Sequence, residues 1–257
     1  MKTRLVTLPE ISRSDTIFND KYILSDTDCL SESEGESTYL YDFETHASWN
    51  RWLISHHCSF LLWSLTIFSL EGRHKSISNA TKYINCYSEI LMYTRVISPE
   101  QYKSEIRPFM SSFWPGFSAL WSYEFQRLKL YINHLDSSSD PQGVEMLKSA
   151  FRFCHGNHME TAKTLVPGGR SLLSNIKKSG KSINTPKAEL NYVYDCLFLI
   201  KRSQASMNDL LIQLDSKLEI LLSDVAVIGA DKFSTDFLFS KMLLNISNHI
   251  KNEVVLV

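Results

Sequence analysis

From about residue 40 onward, apolar residues recur at helical rather than strand spacing. Trp49, Trp52, Leu53, His56, Phe60, Trp63, Leu65 and Phe68 follow i, i+3, i+4 and i+7 steps, which predicts a long buried helix over 43–71, closed by Gly72. Ile77, Tyr83, Ile84, Ile90 and Leu91 mark a second helix over 76–95. Ser98-Pro99-Glu100-Gln101 has the form of a helix start, with a capping serine, a proline in the first turn and a glutamine three residues after the cap. That helix is expected to end near Arg107, because Pro108 disfavours helical geometry in the residue before it. Pro115 is expected to open the next helix, with Phe117, Trp121, Phe125, Leu128, Ile132 and Leu135 in one stripe.

The polar run SSSDP at 137–141 reads as a loop with Asp140 as a helix cap, and 141–166 as a long helix ending at Pro167-Gly168-Gly169. After a polar loop at 178–184, Thr185-Pro186 starts one or two helices through about residue 228, and a last helix covers roughly 232–251. No repeat, alternating strand pattern or phosphate-binding glycine loop breaks this succession. The expected fold is all-α: a single-domain bundle of long helices over 39–257, preceded by a polar arm over 1–38 that carries the run SDTDCLSESEGES.

Composition narrows the picture. With 9 glycines and 7 prolines in 257 residues, there is little punctuation for the many turns of an all-β fold. A net charge of −1 gives no electrostatic footprint for nucleic acid or an anionic membrane. The apolar stretch at 59–70 is short and interrupted by serine and threonine, so a membrane span is not expected there. Cys29, Cys58, Cys86, Cys154 and Cys196 show no CxxC spacing, and the N-terminus MKTRLVTLPEISRSD lacks an apolar signal core. Free thiols in a reducing cytoplasm are expected.

Candidate chemistry rests on a few residues. His155 and His158 lie three apart in FRFCHGNH, a spacing that can share a metal on one helical face, but zinc needs further ligands and none follows at ligand spacing. Of the adjacent His56 and His57, His56 shares a face with Trp52, Phe60 and Trp63, and His57 is expected to look outward. Arg107 reads either as a cation complementing a helix C-terminus or as a guanidinium clamping a carboxylate. No nucleophile elbow is present. These residues alone describe a helical domain with a histidine-lined aromatic pocket.

Three stretches, taken together and in order, resemble the tryptophan 2,3-dioxygenase superfamily of histidine-ligated heme proteins, which also contains compact heme-dependent tyrosine hydroxylases. ISHHCSFLLWSL (54–65) resembles the family helix THQAYELWFKQI and places His56 at the distal histidine, with Trp52 lining the substrate pocket. ISPEQYKSEIRPFMSSFWPGFSALWSYEFQRL (97–128) is similar to a family stretch in which an arginine binds the substrate carboxylate, here Arg107. Lys103 stands where the family has an aromatic wall residue. FRFCHGNHM resembles the family's WRYNHVxMV, which makes His155 the iron ligand, with His158 as the alternative, one turn along near the porphyrin edge. PGGRS resembles GTGGSS, so Gly168 and Gly169 would close over the cofactor, with Pro167 in place of the threonine.

The resemblance covers about residues 40–175 and implies heme b as cofactor. Dioxygen or hydrogen peroxide would be the co-substrate. The chain would be an oxygenase for an aromatic amino acid, with Arg107 holding the carboxylate and Trp52, Phe113 and Trp114 walling the ring. The shortened interval between the second and third stretches favours ring hydroxylation of L-tyrosine or a derivative in a natural-product pathway over dioxygenation of L-tryptophan or a modified indole. A homodimer or larger homo-oligomer is a further implication, because the large dioxygenases close their pocket with a neighbouring subunit's N-terminal segment. The rival expectation is a cofactor-free helical interaction or regulatory domain. In that case the aromatic stripe is core and Arg107 is a cap.

Overall fold

Helix α1 (Ala47–Leu70) is buried along almost its whole circumference, although serines, a threonine and two histidines interrupt its apolar residues. The hydroxyls make this possible by bonding back into their own helix. Ser59 Oγ donates to the Ser55 carbonyl at 2.7 Å, Thr66 Oγ1 to Leu62 at 2.7 Å and Ser69 Oγ to Leu65 at 2.9 Å. Each polar side chain is thereby satisfied without water, so apolar neighbours can close around it. Helices α2 (Ile77–Thr94), α5 (Tyr123–Asn133) and α9 (Met207–Ile228) pack on α1, and α6 (Pro141–Leu165) lies against α2. The computed structural model describes residues 5–11, 43–71, 76–166, 168, 171–178 and 187–228. These are mostly helical, and one hydrophobic core runs through them from Val6 to Val225.

Helix α1 is long and apolar enough to cross a membrane, with a mean hydropathy of 1.4 over its best 18-residue window, contrary to the reading of 59–70 alone. In the fold, 89% of that window is buried against other elements.

Local signals act as expected at several helix starts. Ser76 Oγ accepts from Asn79 N at 3.2 Å to begin α2, and Asp140 Oδ1 accepts from Gly143 N at 2.9 Å to begin α6. At the start of α3 (Pro99–Gln101) the capping box is complete, with Gln101 N donating to Ser98 Oγ at 3.1 Å and Ser98 N to Gln101 Oε1 at 2.9 Å.

Two expectations fail nearby. The helix does not end at Arg107. It continues through a π-helical segment (Tyr102–Ile106) into α4 (Arg107–Phe113). Pro108 has no N–H, and its ring would collide with the carbonyl four residues back in a regular α-helix; the wider π turn takes up that conflict. Nor does a helix open at Pro115. A 3-10 turn (Ala119–Trp121) intervenes, and α5 starts after Ser122, whose Oγ accepts from Phe125 N at 3.3 Å. Helix α7 (Leu172–Lys178) follows α6, and α8 (Lys187–Leu197) leads towards the C-terminal half.

Strands are present as well. Strand β1 (Val6–Pro9) pairs in parallel with β2 (Ile200–Ser203), Val6 opposite Ile200 and Leu8 opposite Arg202. Val6 and Leu8 are fully buried, so this part of the expected polar arm is docked into the core. Gln213 bonds both backbone groups of Thr7, accepting from its N at 2.7 Å and donating to its O at 3.0 Å, and Lys217 Nζ donates to the Leu5 carbonyl at 2.9 Å. The rest of the arm, the polar loop after residue 178, the start at Thr185-Pro186, Pro167, Gly169 and the helix expected at 232–251 lie outside the described residues.

Cys58, Cys86 and Cys154 are free, but Cys196 is disulfide-bonded, which corrects the expectation of free thiols throughout. Pairing depends on how near two cysteines come in space, and sequence spacing does not show that.

Leu61 on α1 is fully buried and Met146 on α6 is exposed. Leu61→Ala is expected to lower the unfolding free energy by about 2–5 kcal/mol. Met146→Ser is expected to leave it within about 0.5 kcal/mol. Urea denaturation followed by circular dichroism checks both.

Candidate functional site

Because α1 has no solvent face, both of its adjacent histidines point into the protein. His57 is fully buried and its Nε2 bonds the Phe198 carbonyl at 2.5 Å, so the expectation that it looks outward is corrected. The helix packs on α2, α5 and α9 at once, and a residue one step round from the aromatic stripe meets a neighbour instead of water. His56 lies beside it, its Nδ1 at 2.7 Å from the Trp52 carbonyl. A carbonyl only accepts, so Nδ1 carries the proton and Nε2 is left as an acceptor.

Trp52 and His56 are both covered by Phe198, just beyond α8. The Phe198 ring stacks on Trp52 at 4.9 Å and 23° and on His56 at 4.9 Å and 25°. Phe60 meets the same ring edge-on at 5.0 Å. The next residue, Leu199, has φ +52, a left-handed backbone that non-glycine residues rarely adopt. That kink turns the chain out of α8 and into β2, and the Leu199 carbonyl accepts from Val6 N at 3.1 Å. Nothing in the apolar spacing marked Phe198 as the cover of Trp52.

The two histidines of α6 separate by helical phase. The face of α6 turned to α2 runs through Leu147, Phe151, Cys154, His158, Thr161 and Leu165, in alternating steps of four and three. His158 is on this stripe, half-buried, with Nδ1 at 3.0 Å from the Tyr87 hydroxyl. Asn157 Nδ2 to Ser88 Oγ (2.9 Å) and Cys154 Sγ to the Ile84 carbonyl (3.3 Å) hold the same seam. His155 is off the stripe and exposed, its ring 6.3 Å from that of Phe125. Phe125 in turn meets Trp63 at 5.2 Å, and Trp63 meets Tyr87 at 5.1 Å. The Trp63 indole N–H is buried with no hydrogen-bond partner.

The other expected site residues are more dispersed. Arg107 is half-exposed and its guanidinium donates to the Tyr102 hydroxyl, within a helix and not at its end. Phe113 is exposed at the end of α4 and reaches Trp52 only through a relay of rings, Phe109 and then Trp49. Trp114 meets Trp121 edge-on at 6.4 Å, and Trp121 packs on Phe117. Gly168 is exposed with φ +64, a backbone suited to glycine. Among the described residues, no group of three or more histidine, cysteine or acidic side chains is placed to hold a bare metal ion.

The interior imidazoles are neutral. Burial pushes His56 down to about 4 from its ordinary value of 6.5, against the opposing bond to the Trp52 carbonyl. His57 is lowered well below the same value by burial and then by the neighbouring Lys217 cation. His158 is lowered by burial and then by His155. His56 also feels His158, which places α6 and α1 imidazoles within electrostatic reach of one another. Tyr87, raised well above 10.0 by burial, stays protonated beside His158.

Two of these features carry a signal in the sequence. The steps from Leu147 to Leu165 put His158 on the packed stripe, and Tyr83, Tyr87 and Leu91 form a stripe on α2. His57 and Phe198 had none. Compared with known proteins, the chain matches no family model and no curated sequence.

Linkage gives the pH dependence. A histidine whose folded pKa is depressed is protonated in the unfolded chain first, so its stabilising contribution is lost as pH falls from 6.5 towards about 4. His57 and His158 act in the same direction. Asp195, raised by burial to about 6 from 3.8, opposes them over its own window. The urea midpoint is expected to fall between pH 6.5 and 4, and more shallowly in His56→Gln.

Proposed function

We propose that this chain is a heme-dependent aromatic oxygenase of the kind its sequence resembles, the tryptophan 2,3-dioxygenase superfamily. The observation that carries the reading is the pairing of the exposed His155 imidazole with a buried, unpartnered Trp63 indole N–H, joined through the Phe125 ring. An exposed imidazole is free to reach the iron of a planar macrocycle, and a buried donor one ring further in would be satisfied by a polar group of a bound molecule. The donor set fits heme b, whose iron brings four nitrogens of its own and asks one ligand of the protein. His158 is the poorer ligand, because it is committed to Tyr87 in the packed seam of α2 and α6. When bound, the group supplies activation of dioxygen or peroxide.

The chain's own residues would then divide the remaining tasks. His56, neutral and with Nε2 unprotonated, can accept a hydrogen bond from a substrate N–H or O–H there. Arg107 would exchange its bond to Tyr102 for two parallel bonds to an amino-acid carboxylate. Trp52 would wall the aromatic ring once Phe198 moves off it. The substrate we favour is L-tyrosine or a derivative, hydroxylated on the ring; a tryptophan-type substrate opened by dioxygenation uses the same scaffold. A cytoplasmic location goes with this reading.

One observation favours a second reading, that of a cofactor-free helical interaction domain. Phe198 covers both Trp52 and His56, so their aromatic stack serves as core.

Protein purified with heme supplementation is expected to show a Soret band that shifts on adding L-tyrosine. His155→Ala should lose heme, and His158→Ala should keep most of it. A colourless wild-type protein favours the interaction domain, and loss of heme from His158→Ala alone reverses the ligand assignment.

A further inference from the structure

Away from the histidines, α1, α5 and the end of β1 enclose a cavity of about 40 Å³ whose wall includes Ser64, Phe68, Glu71, Tyr123, Glu124 and Arg127. Glu71 is paired with Arg127 at 2.6 Å and accepts from the Tyr131 hydroxyl. Glu124 Oε1 is bonded by Arg202, which also grips Asp195 through two bonds of 2.7 Å. Among the described residues this network holds three carboxylates (Glu71, Glu124, Asp195) against two guanidiniums (Arg127, Arg202), one negative charge more than positive. The Glu124 side chain is 3% exposed, and its Oε2 is buried with no hydrogen-bond partner. A carboxylate oxygen left without a donor in a dry setting is costly, and here it belongs to a residue in the wall of this cavity.

The geometry points to this cavity as a binding site for an ammonium-type monocation, either free ammonium or the primary ammonium head of a small amine, received by Glu124. One positive charge balances the network, and the two guanidiniums disfavour a dication. A hard metal cation takes about six or more oxygen ligands, whereas an N–H cation needs only a few acceptors. The volume suits a group no larger than a few water molecules. The site is independent of heme and of the histidines.

Thermal melts of the full chain at pH 7.5 and constant ionic strength, with chloride salts of ammonium, methylammonium, tetramethylammonium or sodium exchanged for one another, test it. Ammonium is expected to raise Tm over sodium saturably, by about 3–6 °C at ten times its dissociation constant. Glu124→Gln should lose this increment, and the exposed Glu105→Gln should keep it. A larger increment with methylammonium assigns the site to an amine head, and a larger one with ammonium assigns it to the free ion. Equal melting in ammonium and sodium, an equal effect of tetramethylammonium, or a retained increment in Glu124→Gln overturns the proposal. Should Glu124→Gln fail to fold, 15N-ammonium titrated into the wild-type protein decides: a saturable bound resonance supports the site, and its absence overturns it.

Discussion

The burial of α1 on every side is the constraint from which most of the structure follows. A helix with so little solvent face must satisfy most of its polar side chains from within the protein, and several of the solutions tie another segment to it. The hydroxyls close on their own helix. His57 reaches the Phe198 carbonyl. Arg51 grips Asp224 of α9 at 2.8 and 3.0 Å, and Tyr93 of α2 donates to the same carboxylate at 2.7 Å. Three helices are thus registered through one buried carboxylate. A buried ion pair of this kind adds little net stability over an apolar substitute, but removing one partner strands the other, so it fixes which helices meet and where.

Phe198 and Leu199 carry a second share of this constraint. Within two residues the chain supplies a carbonyl for His57, a ring for Trp52 and His56, and a carbonyl for the first residue of β1. The left-handed backbone at Leu199 is stable only because all of these contacts hold it. The same cover keeps His56 and Trp52 from solvent, so under the oxygenase reading access to His56 and placement of β1 and β2 share one short segment.

Electrostatically the molecule has two kinds of interior. At His56, His57 and His158 burial favours the neutral imidazole. Around Arg202 carboxylates and a guanidinium meet one another, though unequally. Burial and Glu124 raise Asp195 while Arg202 holds it down. The first arrangement disfavours a proton on the imidazole and leaves its free nitrogen as a hydrogen-bond acceptor.

Much of the helical framework was legible in the residues themselves. Capping at Ser76, Ser98 and Asp140 is local chemistry, decided by a side chain and a backbone N–H three residues on, and it operates whatever surrounds it. The extent of α6 and the aromatic stripe that makes α1 a buried helix were equally readable. What lay beyond reach was non-local. Pro108 signals a helix end, but a π turn let the helix pass. His57 sat one step off the aromatic stripe, and only the surrounding helices made its position interior. The strand pairing of residues 6–9 with 200–203 joins segments that no periodicity connects. The sequence by itself determined that Ser98 and Asp140 begin helices and that α1 is a long buried helix, since capping and apolar spacing are written within a turn or two of each residue. The tertiary structure alone decided which histidines are buried, what covers Trp52 and which carboxylate oxygen lacks a partner, because burial and hydrogen bonding are properties of what arrives from elsewhere in the chain.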